Sequence, residues 1–199
     1  MAFDFKTSYI LENDRVQLRP LSAEDYDLLV HFSKEEPELW TYSLVPASNE
    51  LALQKYLQLA LEGRENQREY AFVVYDKTRD AIAGCTRFYD IQLAAQSLQL
   101  GFTWYGKSFQ GTGLNQQCKL LLLDFAFGIM QMERVEFRAD EQNKRSIAAL
   151  KRIGCVEEGV LRSNGVKPNG ERRSSIVLSI LKAEWEQSVK ENLRKLCSL

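Results

Sequence analysis

Period-two alternation runs through Leu98, Leu100, Phe102 and Trp104, then yields after Gly113 to helical spacing at Leu114, Cys118, Leu121, Leu122, Phe125 and Ile129. A strand, a short loop and a long helix must therefore follow one another. Such a junction presents unpaired amides and the positive end of the helix dipole to an anion. The segment GFTWYGKSFQGTGLN, Gly101 to Asn115, carries two phosphate-binding patterns at once. Gly101 to Ser108 satisfies the G-x-x-x-x-G-K-S of an NTPase P-loop, and Leu120 to Asp124 imitates the apolar run plus Asp that accompanies it. Gly111 and Gly113 instead open the helix.

The two patterns demand different backbones. A P-loop wraps closely around phosphates and needs small residues between its first glycine and its Gly-Lys. Here those places hold Phe102, Thr103, Trp104 and Tyr105, which continue the strand alternation, and the LLLLD run lies inside the helix. The strand is thus expected to end near Trp104, with a loop from Tyr105 to Gly111 and a helix from about Thr112.

Charge makes any anion site a local one. With 26 basic and 27 acidic residues among 199, no overall field favours nucleic acid or an anionic membrane. Cys85, Cys118, Cys155 and Cys197 lack paired zinc-ligand spacing, so no metal is expected; the first three fall in apolar patterns as free buried thiols and Cys197 in a loose tail. MAFDFKTSYI does not read as a signal peptide and no apolar run reaches membrane-spanning length, so a reducing cytoplasm is the expected compartment.

Elsewhere the periodicities predict a strand at Val16 to Leu18 and a helix capped by Ser22. A second helix, capped by Ser48, should run to about Leu61, and the runs Tyr70–Tyr75 and Ala81–Tyr89 should form a hairpin. After the long helix come a strand at Val135 to Ala139 and a short helix at Ser146 to Ile153. Paired strands follow at Val156 to Leu161 and Ser175 to Leu181, joined through Asn164-Gly165 and Asn169-Gly170 turn signals. A terminal helix spans Trp185 to Leu196. The order describes one α/β (α+β) domain over residues 1–199, with its core at about 14–182 and its last helix at about 183–196.

Two motifs in this order resemble the GNAT superfamily of acyl-CoA N-acyltransferases. Ser108-Phe109-Gln110-Gly111-Thr112-Gly113 is similar to the family's Gln/Arg-x-x-Gly-x-Gly/Ala, departing at Ser108. NKRSIAALKRIGCVEEGVLR, Asn143 to Arg162, is similar to its N-x-x-S/A-I segment almost throughout. The LRPL opening and the N-G-E-R-R segment resemble the RimJ/RimL-type branch, which acetylates protein N-termini, amino sugars and small amines. The resemblance implies a mixed sheet of about seven strands, splayed between the fourth and fifth and flanked by helices. It also implies acetyl-CoA as cosubstrate, an amine acceptor, and a monomer or homodimer.

The roles implied by the resemblance fall on particular residues. Backbone groups of Phe102, Thr103 and Trp104 would meet the pantetheine and the acetyl carbonyl, and those of Gln110, Gly111, Thr112, Gly113 and Leu114 the pyrophosphate. Lys107 would add charge there or stand solvated, and Asn143 would bind the CoA arm or cap the short helix. The tyrosine that protonates the leaving thiolate in many members is replaced by Leu150, so Ser146 is the candidate donor by motif position, alongside a plain helix-start role. His31 reads as structural, leaving Glu38 and Asp90 as candidate bases; Ser174 stands where many relatives carry Asp. Trp40, Tyr42, Phe88 and Tyr89 would line the acceptor pocket, with core packing the competing reading. A catalytically silent acyl-CoA-binding module is the alternative function and a P-loop NTPase the remote one.

Overall fold

The computed structural model describes residues 3–198. Its strands are β1 (Leu11–Glu12), β2 (Val16–Pro20), β3 (Tyr70–Asp76), β4 (Ala81–Gln92), β5 (Ser97–Tyr105), β6 (Arg134–Asp140), β7 (Val156–Val166) and β8 (Arg172–Leu181). They form a single eight-stranded sheet in the order β1-β2-β3-β4-β5-β6-β8-β7. The helices are α1 (Tyr26–Glu35), α2 (Glu50–Glu65), α3 (Leu114–Gly128) and α4 (Lys144–Arg152), with a terminal stretch of α5 (Lys182–Glu184), a π turn (Trp185–Val189) and α6 (Lys190–Cys197). No described helix is long and apolar enough to cross a membrane.

Several local expectations shift. The extra strand is the short β1. Asn49, not Ser48, caps α2, its side chain accepting from the Ala52 amide at 2.9 Å. The long helix starts at Leu114 rather than Thr112, because Gly113 takes φ 85° as its N-cap. Its buried stripe runs through Cys118, Lys119, Leu122, Leu123 and Ala126, while Ile129 is exposed. Asn164-Gly165 continues β7 and only the second turn signal is used. Pro168 presets position two of a Lys167–Gly170 turn, and the Gly170 amide closes it on the Lys167 carbonyl at 2.9 Å. Cys197 is not in a loose tail: it ends α6, and its carbonyl accepts from Gln117 Nε2 at 2.8 Å.

Every neighbouring pair in the sheet is antiparallel except β5 and β6, and that exception builds the site. A parallel pair needs a crossover, which α3 supplies. The two strands pair only at Ser97–Gln99 with Arg134–Glu136. Beyond that, β5 stays with β4 as far as Tyr105, while β6 stays with β8 as far as Asp140. Each strand keeps its outer partner and loses the inner one, so a wedge opens between them.

A bulge in β5 sits at this opening. Cys85 faces Trp104 and Arg87 faces Gly101, leaving Thr86 alone opposite Phe102 and Thr103. Phe102 adopts φ 49°, a left-handed conformation costing a non-glycine residue about 1–2 kcal/mol. Packing offsets that cost: its ring lies 5.0 Å from Tyr89 and 4.3 Å from the Arg87 guanidinium, and its carbonyl accepts from the Tyr56 hydroxyl at 3.2 Å. Bulged strands bend and twist more strongly, which turns β5 away from β6.

At the far end of the sheet, Glu158 of β7 accepts from Arg134 Nη2 at 2.7 Å and from Ser179 Oγ at 2.6 Å. The Arg134 bonds, then the Ser179 bond, hold its carboxyl at a pKa of about 2, below the usual 4.5. A depressed carboxylate stabilises the fold above its unfolded pKa and loses that contribution as pH falls through the folded value. Because both partners are substantially exposed, Glu158→Gln should cost less than about 1 kcal/mol at neutral pH. Urea titrations should show the gap to wild type closing between about pH 4.5 and 2; a gap that persists at the acid end would contradict this pairing.

Candidate active site

Alternation along β4 sorts the candidates by face. Arg87 lies 4.8 Å over the Tyr56 ring of α2, whereas Phe88 stacks at 6.2 Å on Phe125 of α3. Phe88 is therefore core on the α3 side and does not line an acceptor pocket with its neighbour Tyr89, since adjacent strand residues point to opposite faces. Tyr89 and Phe102 share the α2 side. Trp40 is buried in the core, packing at 5.2 Å against Trp104, and Tyr42, 39% exposed, offers its carbonyl to Arg173 at 3.0 Å. Burial pushes the Tyr89 hydroxyl up to about 12.

Where the wedge meets α3, Gly111 and Gly113 have φ of 74° and 85°. The amides of Gly111, Thr112, Gly113, Leu114 and Asn115 donate to no group among the described residues. A Cβ at either glycine would meet nothing within 4 Å, so the backbone here is not packed over on that side. Five unsatisfied donors at the start of a 15-residue helix suit a diphosphate, and these residues fit that part of CoA. Gln110 ties the loop to its surroundings: its amide nitrogen donates to the Tyr105 carbonyl at 2.8 Å and its oxygen accepts from Arg145 at 2.6 Å. Arg145 thus brings a charge to the cradle that the motif reading did not name.

Lys107 faces elsewhere. Its ammonium pairs with Glu38 and its amide donates to Glu36 at 2.7 Å, so it joins the α1–α2 connection to the end of β5. The Lys107 hydrogen bond lowers the Glu38 pKa, which weakens that carboxylate as a base. Since Gly101–Tyr105 is strand and Leu120–Asp124 lies inside α3, the P-loop pattern has no matching loop. Asp90 accepts from Gln92 and Gln99, each at 2.9 Å, beside Arg134, Glu136 and Arg138 in a cavity of about 100 Å³. That is the closed end of the wedge. Four residues of strand, roughly 13 Å, separate it from the bulge.

Asn143 caps α4, its side-chain oxygen accepting from the Ser146 amide at 3.1 Å, and Ser146 is half-buried in the first turn. His31 is exposed on α1, its ring 3.9 Å from that of Phe32. At the open end of β6, Asp140 is buried; one oxygen accepts from the Gln142 amide at 2.9 Å and the other lies 3.5 Å from the Lys167 ammonium. Asp140, Arg145 and the buried Lys119 were not singled out by motif; Lys119 alone carried a signal, as a charge on the apolar stripe of α3.

Comparison with known proteins agrees with this geometry. The family model for the acetyltransferase (GNAT) domain matches residues 15–156. A Bacillus subtilis relative described as a probable N-acetyltransferase, YjcK, is 26% identical over 184 residues, covering 89% of this chain and all of the relative. A crystal structure from T. thermophilus assigned as an acetyltransferase superposes with a TM-score of 0.84 at 31% identity, covering 98% of both chains. Mycobacterium smegmatis RimJ, solved in complex with CoA-disulfide, shares the fold with a TM-score of 0.75 at 20% identity over 94% of this chain and 93% of that one. An eight-stranded sheet opened between a bulged β5 and β6, with unpaired amides at the start of α3 and a family match over most of its length, makes this chain a member of the GNAT acetyltransferase family.

Proposed function

We propose that the chain passes the acetyl group of acetyl-CoA directly to a primary amine while both are bound. The observation that carries this reading is the wedge between β5 and β6, ending beside the five unpaired amides of Gly111–Asn115. In it the thioester lies along Phe102–Trp104 and the diphosphate rests on the cradle, with Arg145 beside it. The acceptor arrives over the α2 side, past Tyr42, Tyr89 and Phe102, while Trp40 is buried against Trp104 in the core. Its nitrogen attacks the thioester carbon, and backbone N–H at the bulge stabilises the developing oxyanion, a contribution worth about 3–4 kcal/mol per donor in such sites. Water relays the proton lost by the amine, and Ser146 is the nearest hydroxyl by motif for the departing thiolate.

Protein N-termini, amino sugars and small amines are the acceptor classes. The test is a panel of all three with acetyl-CoA, reading thiol release, alongside calorimetric titration of acetyl-CoA. Binding well below millimolar and release that depends on one acceptor class are expected. A silent acyl-CoA-binding module is the second reading, favoured by Leu150 and by the engagement of Glu38 with Lys107. Tight binding without release across the whole panel would select it.

A further inference from the structure

Lys119 is buried in the second turn of α3, 3% exposed, with no carboxylate partner among the described residues. Its ammonium donates to Thr103 Oγ1 at 3.1 Å and lies 5.7 Å over the Phe137 ring. Thr103 belongs to the bulge of β5, and Phe137 is the first residue of β6 past its pairing with β5. The ammonium therefore spans the mouth of the wedge from the α3 side. Thr103 in turn exchanges a hydrogen bond of 2.8 Å with Thr86, the lone β4 residue opposite the bulge. A charge so buried is costly unless it is paired and hydrogen-bonded, and Thr103 Oγ1 is the one hydrogen-bond partner of this ammonium among the described residues. Packing alone would be served by methionine, which has similar length.

Resting on the reading that the thioester occupies this wedge, we propose that Lys119 is a positioning residue for acetyl transfer. Acting through Thr103, it fixes the bulge and sets one positive charge behind the sulfur. The step is the transfer already described. A C–N bond forms as the amine attacks, the C–S bond breaks with its electron pair passing to sulfur, and the proton shed by nitrogen ends on the thiolate. Lys119 keeps its own proton throughout and favours the thiolate by charge.

The ionisable groups about Lys119 are the thiols of Cys118 and Cys155, both pushed up to about 12 by burial and so neutral across the working range. Burial lowers Lys119 itself to about 8. The charge is present below that pH and lost above it.

Lys119→Met, Lys119→Arg and Thr103→Val should be compared with wild type across pH 6.5 to 9.5, using an acceptor found active in the panel. Lys119→Met is expected to lower kcat at least tenfold with KM for acetyl-CoA within about twofold, and to abolish the alkaline decline near pH 8. Lys119→Arg should keep most of the rate and move the decline out of range, and Thr103→Val combined with Lys119→Met should add little. An acceptor-free readout accompanies these: the thiol of bound CoA, followed by thiolate absorbance below pH 8, where the Lys119 ammonium is charged, should show less thiolate in Lys119→Met than in wild type. Wild-type CoA binding with an unchanged thiol titration and unchanged kcat and pH profile in a folded Lys119→Met would overturn the proposal alone. Failure of wild type to bind CoA would overturn the wedge reading and this proposal with it.

Discussion

Replacing Gly84 by alanine is expected to destabilise the fold by at least about 3 kcal/mol and to deform the mouth of the wedge in whatever remains folded. Gly84 sits on β4 beside the point where its register with β3 shifts, directly opposite Tyr105. A methyl group there would stand 2.0 Å from the Trp104 carbonyl oxygen and 3.0 Å from both the Trp104 carbonyl carbon and the Tyr105 Cα. All three are backbone atoms, so no rotamer change relieves the clash. Overpacking costs about 1–3 kcal/mol where side chains can yield; here a strand must move, and the residue's φ of 152° adds strain for any side chain. Because Trp104 adjoins the bulge at Phe102 and Thr103, the displacement reaches the stretch proposed to receive the thioester. Urea unfolding and acetyl-CoA titration of Gly84→Ala check both parts. Stability within 1 kcal/mol of wild type would mean that β4 and β5 approach less closely at Gly84 than the geometry says.

The strand-loop-helix order around Phe102 and Gly113 was legible because bulky residues cannot wrap a phosphate and because apolar spacing changes from two to 3.6 at one place. The wedge itself was legible only through family resemblance. It arises from backbone events, a bulge opposite Thr86 and pairing that ends at Gln99, and neither has a side-chain signature. For Phe88 the competing reading, core packing, is the one the structure fits, and the strand period used at Leu98–Trp104 gives the reason: Phe88 and Tyr89 point to opposite faces. Asn164-Gly165 and Asn169-Gly170 are equal as dipeptides; Pro168, which cannot donate within a strand, decides between them. Lys107 could be read as a phosphate charge or a solvated loop residue, and neither reading includes Glu38, which tertiary structure sets beside it from 69 residues away. Lys119 could have been found, since a lysine on the stripe of Cys118, Leu122 and Leu123 must either snorkel out or be put to use.

Gly113→Val should weaken acetyl-CoA binding by about 10- to 100-fold while costing the fold only about 1–2 kcal/mol. The two effects separate because of where the residue lies. Nothing stands within 4 Å of a Cβ added there, so the stability loss is mainly that of forcing a β-branched residue to φ 85°. The same open space is where a diphosphate would rest on the amides of Gly111–Asn115. A valine pointing into it excludes one or two charge-assisted hydrogen bonds, each worth about 1.5–3 kcal/mol. At 1.4 kcal/mol per tenfold, loss of even one accounts for the expected weakening. Because the proposed cradle would hold the far end of the cosubstrate, kcat at saturating acetyl-CoA should fall much less than kcat/KM. Calorimetry and thermal unfolding on the same variant decide the matter. Lowered stability with unchanged acetyl-CoA affinity would reduce the glycine pair to a turn between β5 and α3 and remove the anion cradle from the site.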